Sequence, residues 1–509
     1  MSYTRASGIL LHPTSLPGRF GIGDLGSSAY RFVDFLVDSQ QTLWQILPLG
    51  PVGHGNSPYM AYSAMAGNPL LISLEILQEQ GLFAPDELIL TEAFPDDSVS
   101  YDRAGQFKLA QLKKAAERFK TVSDDETKQA FEDFRTAQAS WLEDYALFMA
   151  LKEANEGKTW TQWEEAIARR RPEALNQAKV DLAPAIFLHE YMQFEFYRQW
   201  SALRAFANER GIRIVGDMPI YVAHDSVDVW ANPEDFLLDE ETLEAKQMAG
   251  VPPDFFSDTG QLWGNPIYNW EKMEADGFKW WLKRIRGLMT QVDFMRIDHF
   301  RGFAAYWAVP AGEETAANGQ WIDAPGVALF ETVIKELGEL PFWAEDLGHI
   351  DQPVLDLRDR FKFPGMKVLL FAFGGDHHNP YLPFNADRNC VIYTGTHDNN
   401  TAVGWFNHAS DHEKWRLASY VGAFNRETVH WDLIRLAMSS VAKDAIVPLQ
   451  DLFGLGGEAR MNIPGTGESN WEWRYSEAML APTVGRQLRQ LTELYGRGRD
   501  QNAPPPEQD

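Results

Sequence analysis

The chain has 509 residues, of which 45% are hydrophobic and 13% aromatic, and its formal net charge is −26. It is too long for one simple core of about 100–200 residues, but it suits one large α/β barrel with insertions. The electric field of such a negative protein repels phosphate backbones and anionic lipid headgroups. The charge therefore argues against nucleic-acid and membrane partners and favours a neutral substrate.

The cysteine content and the apolar segments indicate the compartment. The single cysteine, Cys390, excludes an internal disulfide framework and a cysteine-rich metal site. The apolar run 8–11 is too short for a secretory core, and no later stretch approaches about 20 uncharged apolar residues. We therefore expect a cytoplasmic protein.

Eight short apolar runs, each ending in polar, Gly or Pro residues, are spread along the chain. They span residues 8–13, 42–48, 213–219, 294–299, 342–346, 366–373, 390–396 and 445–450. Each is typical of a buried parallel strand, in which near-continuous hydrophobicity replaces alternation. Eight such runs predict an eight-stranded barrel, although a short apolar run is also compatible with a helix.

The segment between the second and third runs, about residues 66–205, is too long for a plain loop. Apolar residues recur in its middle at helical spacing, so we predict a mostly helical subdomain beside the barrel. The predicted catalytic barrel spans residues 1–500 and includes this insertion and a loop insertion over about 225–285. The polar, proline-rich tail 501–509 is predicted to be disordered.

Acidic residues follow several of the predicted strands, namely Asp217, Asp298, Glu345 and Asp398. Active sites of such barrels lie at the C-terminal ends of the strands. Several carboxyl groups at that end therefore indicate a functional site, with ion pairing at the barrel mouth as the structural alternative.

The segment DFMRIDHFRGF (293–303) contains a candidate nucleophile. Strand alternation places Arg296 and Asp298 on the same face. A guanidinium keeps a neighbouring carboxylate ionised, which is the state that a nucleophile requires. A structural salt bridge would have the same pattern.

The segment PFWAEDLG (341–348) contains a candidate general acid. Glu345 and Asp346 point to opposite faces, so one can enter the cleft while the other holds the backbone. A glutamate close to Trp343 and other bulky groups would be desolvated, and desolvation raises a carboxyl pKa. The residues alone do not choose between the two acids.

The segment YTGTHDNNT (393–401) places His397 beside Asp398 after a predicted strand. Such a pair suits sugar hydroxyls or a metal ion. No third ligand follows at a recognisable metal-site spacing, so we predict neither a metal nor a cofactor.

The three segments MRIDHFRGF, AEDLG and TGTHDNNT, in this order, resemble the catalytic strand ends of the amylomaltase family. Members of this family, in the α-amylase clan, are also called 4-α-glucanotransferases or disproportionating enzymes. Similar stretches cover nearly the whole chain, including GILLHPTSLPGRFGIGDLG (8–26), VGDMPIYVAHDSVDVWANPE (215–234) and RMNIPGTGESNWEWR (460–474). The resemblance implies a (β/α)8 TIM barrel with large, mainly helical insertions and no separate C-terminal β-sandwich domain.

The resemblance also implies residue roles. Asp298 matches the family's nucleophile, Glu345 its general acid/base, and Asp398 the third acid, which grips the sugar ring. Arg296 and His397 match supporting contacts in the glucose subsite before the scissile bond.

Five further substrate contacts follow from the same resemblance. Asp217 matches an acceptor for sugar hydroxyls, and Trp263 matches an aromatic residue of the substrate channel. Ser57 and Tyr59, in NSPY, match donor-side contacts, and Asp376 falls near an acidic position of the family.

The activity implied by the resemblance is transfer of α-1,4-glucan segments between glucans, maltooligosaccharides or glucose by a retaining double displacement. The partners are accordingly α-1,4-glucans and maltooligosaccharides. One alternative is an α-amylase-type hydrolase with the same three acids. Another is a non-catalytic glucan-binding barrel, which would be expected to lack one of the acids.

Overall fold

The computed structural model describes residues 5–253, 257–422, 425–467 and 469–499. Twelve strands lie within these ranges: β1 (Ala6–Leu10), β2 (Leu43–Gln45), β3 (Arg213–Met218), β4 (Gln247–Val251), β5 (Gln261–Pro266), β6 (Phe294–Ile297), β7 (Ala305–Pro310), β8 (Gln320–Asp323), β9 (Phe342–Ala344), β10 (Gly365–Val368), β11 (Cys390–Tyr393) and β12 (Asp444–Pro448).

Eight of these strands form one parallel sheet in the order β10-β11-β12-β1-β2-β3-β6-β9. Each of the eight predicted apolar runs overlaps one strand of this sheet, so the predicted barrel is confirmed. The strands are almost entirely buried, as expected of a parallel sheet covered on its outer face by helices.

The sheet is nearly closed at the boundary between β9 and β10. One main-chain hydrogen bond crosses this boundary, from Ala344 N to Pro364 O at 2.8 Å. A side chain adds a second link, because Asp346 Oδ1 accepts from Met366 N at 2.7 Å. The other neighbouring strands pair through regular parallel ladders.

Seventeen α-helices lie within the described residues: α1 (Ser27–Asp38), α2 (Leu74–Glu79), α3 (Tyr101–Val122), α4 (Asp125–Ala154), α5 (Glu165–Ala168), α6 (Pro172–Asp181), α7 (Ala183–Glu209), α8 (Val227–Ala231), α9 (Trp270–Ala275), α10 (Lys279–Met289), α11 (Gly326–Leu337), α12 (Gln352–Arg360), α13 (Ala402–His408), α14 (Asp411–Val421), α15 (Val429–Ser439), α16 (Leu449–Phe453) and α17 (Pro482–Leu494).

The chain between β2 and β3 contains α2 to α7 and no strand among its residues. Aromatic side chains join its long helices, with the Phe131 ring 5.5 Å from both Phe187 and Phe194. The apolar residues that recur at helical spacing in this segment therefore form the contact between α4 and α7. The boundaries of this subdomain and of the insertion over 225–285 stay predictions.

A second, antiparallel sheet has the order β5-β4-β7-β8 and carries Trp263 on β5. After β12 the described residues form α16 and α17 and contain no strand, as expected for a chain without a C-terminal β-sandwich. The predicted disordered tail lies outside the described residues. None of the described helices combines the length and the apolar character that a membrane crossing needs.

Close packing of β1 on β2 yields a stability prediction. A Cβ on Gly8 would lie 2.3 Å from Leu43 O and 2.5 Å from Leu43 Cβ, on the neighbouring strand. We expect Gly8→Ala to lower the free energy of unfolding by about 1–3 kcal/mol, the usual cost of overpacking. Urea unfolding followed by circular dichroism measures this change.

Gly105 provides the matched control. It lies within α3 and has open space around its Cβ position. Gly105→Ala should raise the free energy of unfolding by about 0.5–1 kcal/mol, because alanine favours the helix. Equal effects of the two substitutions would contradict the proposed close approach of the strands.

Candidate active site

Neighbouring strands bring Asp298 and Glu345 to the same side of the barrel mouth. Asp298 directly follows β6 and Glu345 directly follows β9, and these strands pair with Ile297 opposite Ala344. The Glu345 backbone then bonds to both sides of Asp298, with Glu345 N donating to Ile297 O at 3.0 Å and Phe300 N donating to Glu345 O at 3.1 Å. The two acids are therefore held by a shared main-chain framework.

The Arg296 guanidinium is buried between two carboxylates. It lies 2.6 Å from Asp217 Oδ2 and 3.0 Å from Asp298 Oδ1. Alternation along β6 places Arg296 and Asp298 on the same face, as predicted. Two opposite charges at contact distance hold the planar guanidinium in one orientation.

A chain of polar groups leads from Arg296 to Asp398. Tyr59 Oη lies 2.9 Å from Asp217 Oδ2 and 2.9 Å from His397 Nε2. An ionised carboxylate only accepts, so Tyr59 donates to Asp217 and His397 Nε2 is the donor toward Tyr59. The same Nε2 lies 3.2 Å from Asp398 Oδ2. These contacts place a proton on His397 Nε2.

Asp398 has a further partner that sequence reasoning missed. Asn462 Nδ2 donates to Asp398 Oδ1 at 2.6 Å, and Arg460 donates to Asp398 O at 3.0 Å. Both partners lie in the segment 460–474, which resembles the family but received no role. Only that resemblance could have drawn attention to Asn462.

The structure distinguishes Glu345 from Asp346. Asp346 is buried behind the mouth, where it accepts from Met366 N and pairs with Arg358 at 2.6 Å. Glu345 instead accepts from His299 N, the residue after Asp298, at 2.7 Å and from Leu347 N at 2.9 Å. This difference in position favours Glu345 over Asp346 as the candidate general acid.

His299 connects the acids to the second sheet. Its φ of 49° lies in the left-handed region, which is uncommon for a residue other than glycine and is often found at functional sites. This backbone conformation presents His299 N to Glu345. The His299 ring meets the Trp263 ring edge to face at 4.8 Å, which places Trp263 beside the acids.

The three acids differ in pKa. Burial raises the pKa of Glu345 to about 8, and Arg296 opposes that rise. Burial also raises the pKa of Asp298, to about 6, against the closer charge of Arg296. Although burial acts on Asp398 too, His397 and Asn462 hold the pKa of Asp398 well below its usual range. Near pH 7, Glu345 is mainly protonated while Asp298 and Asp398 are ionised.

The other predicted contacts occupy different positions. Ser57 Oγ accepts from Tyr59 N at 3.3 Å and so helps to shape the NSPY turn. Asp217 is fully buried behind Arg296 and Tyr59, which makes it a positioning residue here, and its contact with a sugar hydroxyl stays a prediction.

Asp376 is exposed, and its carboxylate accepts from His378 N at 2.8 Å. None of the described hydrogen bonds or ion pairs joins Asp376 to the three acids, so its predicted substrate contact stays a prediction. Asp376, His377 and His378 offer potential metal-ligand atoms within 4.8 Å of one another. This is the one such group among the described residues, and it lies in an exposed loop.

A protonated carboxyl beside an ionised one, at a barrel mouth and on adjacent strands, is an arrangement suited to an enzyme that acts on glycosidic bonds. Comparison with known proteins makes the class specific. A family model described as 4-alpha-glucanotransferase matches residues 11–480. The chain belongs to this family and is an enzyme of the 4-alpha-glucanotransferase type, which confirms the resemblance to amylomaltases.

Relatives match over nearly their full lengths. A 4-alpha-glucanotransferase of Synechocystis sp. is 55% identical over 495 residues, covering 97% of this chain and 98% of the relative. That of Thermus thermophilus is 48% identical over 504 residues, covering 98% and 100%. The solved structure of amylomaltase from Streptococcus agalactiae in complex with acarbose has a TM-score of 0.95 and 40% identity, covering 97% of this chain and 100% of its own.

The different surroundings of Glu345 and Asp346 generate a paired prediction. Asp346→Ala should lower the free energy of unfolding by about 3 kcal/mol, the lower end for breaking a buried pair, since Arg358 retains Asp359. Glu345→Gln should lower it by less, about 1–2 kcal/mol, because the amide keeps one acceptor and leaves one of the two backbone donors without a partner. Urea unfolding at pH 7 measures both.

Activity should show the reverse order. Glu345→Gln is expected to lose transfer from maltotriose, whereas correctly folded Asp346→Ala should retain most of it at 25 °C. A stable but inactive Asp346→Ala variant would contradict the assignment of Asp346 to the barrel wall.

Proposed function

We propose that the protein moves α-1,4-glucan segments between glucans, maltooligosaccharides or glucose by a retaining double displacement. Asp298 acts as the nucleophile, Glu345 as the general acid/base and Asp398 as the acid that stabilises the distorted sugar. The observation that carries the proposal is the pairing of a protonated Glu345 with an ionised Asp298 on adjacent strands.

Strand spacing favours retention over inversion. Neighbouring strands lie about 4.8 Å apart, so carboxyl groups that directly follow two paired strands lie close together. Retaining enzymes need their two carboxyl groups about 5–5.5 Å apart, whereas inverting enzymes need about 6.5–9.5 Å to admit a water molecule. The paired ends of β6 and β9 suit the shorter separation.

In the first step, Asp298 attacks the anomeric carbon as the bond to the glycosidic oxygen breaks. Glu345 gives its proton to that oxygen, which departs as a sugar 4-hydroxyl. The products are a covalent β-glycosyl ester on Asp298 and an ionised Glu345. Arg296, 3.0 Å from Asp298 Oδ1, stabilises the anion before attack and the departing carboxylate afterwards.

In the second step, a 4-hydroxyl of an acceptor sugar attacks the anomeric carbon and releases Asp298. Glu345 takes the hydroxyl proton, so both acids return to their starting states. Asp398 is ionised and held by His397 and Asn462, which suits it to hydrogen bonds that tighten as the sugar becomes oxocarbenium-like.

The substrate class has two supports. The Streptococcus agalactiae amylomaltase, which this chain resembles over 97% of its length, was solved with acarbose bound. A net charge of −26 is compatible with a neutral glucan and unfavourable for an anionic ligand. The proposed location is the cytoplasm, where the buried free thiol of Cys390 would stay reduced.

Products formed from maltotriose test the reaction. Transfer should give glucose plus a ladder of longer glucans while the number of reducing ends stays constant. An α-amylase-type hydrolase would raise the number of reducing ends with each bond cleaved. Chromatography of the products and a reducing-end assay on the same samples distinguish the two reactions.

Asp298→Asn is the matched variant, because it removes the anionic nucleophile while preserving side-chain shape. Its transfer rate should fall by roughly a thousand-fold or more, as for loss of a nucleophile that acts together with its catalytic partners. Wild-type rates in a folded Asp298→Asn protein would refute the proposed mechanism and leave a role in binding.

The pKa order predicts a bell-shaped pH profile for kcat/KM, which reports groups of the free enzyme. Activity should rise with pH through about 6, as Asp298 becomes ionised. It should fall as pH increases through about 8, because Glu345 loses the proton that the leaving group needs. Initial rates of glucose release from maltotriose between pH 4.5 and 9.5 measure both limbs.

An activated donor separates the two limbs. Fluoride leaves without protonation, so Glu345→Gln should still release fluoride from α-maltosyl fluoride and should lack the alkaline limb. The acid limb should remain, because Asp298 is unchanged. Persistence of the alkaline limb in Glu345→Gln would assign it to a different group.

A further inference from the structure

His397 and Asp398 lie in a loop between the end of β11 and the start of α13. We call residues 394–402 the Asp398 loop, and Asp398 lies at its middle, four positions from each end. The structure describes all of these residues, and between the two ends none belongs to a helix or a strand. The orientation of the Asp398 carboxylate therefore depends on the contacts that hold the loop.

Asp451 joins the two ends of the Asp398 loop. Its Oδ2 accepts from Thr394 Oγ1, at one end, at 2.5 Å. Its Oδ1 accepts from Ala402 N, at the other end, at 2.6 Å. An ionised carboxylate has two oxygens and only accepts, so one side chain bridges the first residue after β11 and the first residue of α13.

The barrel wall holds Asp451 in turn. Asp451 lies on α16, which begins directly after β12, and β12 pairs with β11 in a parallel ladder that places Tyr393 opposite Ile446. Asp451 is 1% exposed, and its neighbours Leu449 and Leu452 are buried as well. The bridge therefore attaches the Asp398 loop to the strand next to its own.

Contacts inside the loop connect its ends to Asp398. Asn399 Oδ1 accepts from Thr396 N at 2.9 Å and from Thr396 Oγ1 at 3.0 Å, which closes a tight turn. Asn462 N donates to His397 O at 3.1 Å, beside the bond from Asn462 to the Asp398 carboxylate. Because the turn is closed in this way, a shift of the loop ends would also move the Asp398 carboxylate.

Stability of the barrel wall is a weak reason for a carboxylate at this buried position. Burial raises the pKa of Asp451 to about 6 against the hydrogen bonds from Ala402 N and Thr394, and none of the described ion pairs includes Asp451. Burying a charge without an opposite charge costs free energy. The carboxylate is therefore better explained by the two loop ends that it joins.

We propose that Asp451 is a positioning residue, which holds both ends of the Asp398 loop and thereby orients the Asp398 carboxylate toward the reacting sugar. This inference rests on the proposed function, in which Asp398 stabilises the distorted sugar. None of the described hydrogen bonds joins Asp451 to any of the three acids, so Asp451 acts through the loop.

This role predicts a change in kcat rather than in KM. Hydrogen bonds from Asp398 tighten as the sugar is distorted, so misplacing its carboxylate weakens transition-state binding more than substrate binding. Asp451→Ala removes both bridging bonds. It is expected to lower kcat with maltotriose roughly a hundred-fold, the effect that a misplacement of about 1 Å can have in an active site, with little change in KM.

Asp451→Asn is the conservative variant that should restore activity. Its amide oxygen can accept from Ala402 N while its amide nitrogen donates to Thr394 Oγ1, because a hydroxyl group both donates and accepts. The bridge then remains without its charge, so kcat should stay close to that of the unsubstituted protein. An Asp451→Asn protein as slow as Asp451→Ala would overturn the bridge as the cause of the loss.

Asp444 provides the matched control. It is a buried aspartate at the opposite end of β12, 5% exposed, and burial raises its pKa to about 6 as well. That end of the barrel lies away from the mouth, so Asp444→Ala should leave kcat unchanged. Equal losses of kcat in correctly folded Asp444→Ala and Asp451→Ala would overturn a specific role for Asp451.

Hydrogen exchange followed by mass spectrometry reports on the Asp398 loop without turnover. Asp451→Ala removes the acceptor for Ala402 N, so amides of residues 394–402 should exchange faster than in the unsubstituted protein and in Asp444→Ala. Unchanged exchange and unchanged kcat in a folded Asp451→Ala protein would overturn the proposal.

Thr394→Val keeps the test decisive where Asp451→Ala does not fold. It removes one of the two bridging bonds and preserves side-chain shape, so kcat should fall by a smaller factor and exchange of the loop should rise. Unchanged kcat and exchange in Thr394→Val would likewise overturn the bridge. No turnover of maltotriose by the unsubstituted protein would instead refute the proposed function, because the exchange measurements need no substrate.

Discussion

The buried guanidinium of Arg296 is the interaction on which the site depends. Asp217 and Asp298 lie within 3.0 Å of it, and Glu345 is close enough to feel its charge. Without a cation, several carboxyl groups in a poorly solvated mouth would take up protons. With one cation in direct contact with Asp298 and not with Glu345, the two acids differ in protonation near neutral pH.

The barrel holds this arrangement of charged and polar side chains in place, because each side chain is attached at a different strand end. Asp217 lies on β3, Arg296 on β6, Glu345 after β9 and His397 after β11. Tyr59, from the chain after β2, then joins Asp217 to His397. The polar contacts thus cross the mouth from strand to strand. A shift of one strand end would therefore change hydrogen-bond distances at the other strand ends.

Much of the fold was predictable, because buried parallel strands have a strong local signal of short, nearly continuous apolar runs. The second sheet was not predicted, since strands such as β8, with mostly exposed residues, carry no comparable signal. Alternation on β6 predicted the neighbouring Arg296 and Asp298. Distinguishing Glu345 from Asp346 required the structure, because the difference lies in partners distant along the chain.

The contact between Asn462 and Asp398 likewise could not be predicted from the sequence. It joins residues 64 positions apart, and no spacing rule relates them. The proposed roles of the three acids follow from the family resemblance, whereas their relative protonation follows from burial and from the position of one guanidinium. Local pattern therefore located the strand ends, and tertiary contacts determined the chemistry at each of them.

The boundary between β9 and β10 has a consequence for how the chain can vary. There the sheet is joined by one main-chain bond from Ala344 and by the carboxylate of Asp346, the residue next to Glu345. Barrel closure and the placement of the proposed proton donor thus share two consecutive positions. A substitution that loosens the wall there is therefore expected to move the proposed donor as well, so the two neighbouring positions are mechanically coupled, although Asp346 itself is buried in the wall.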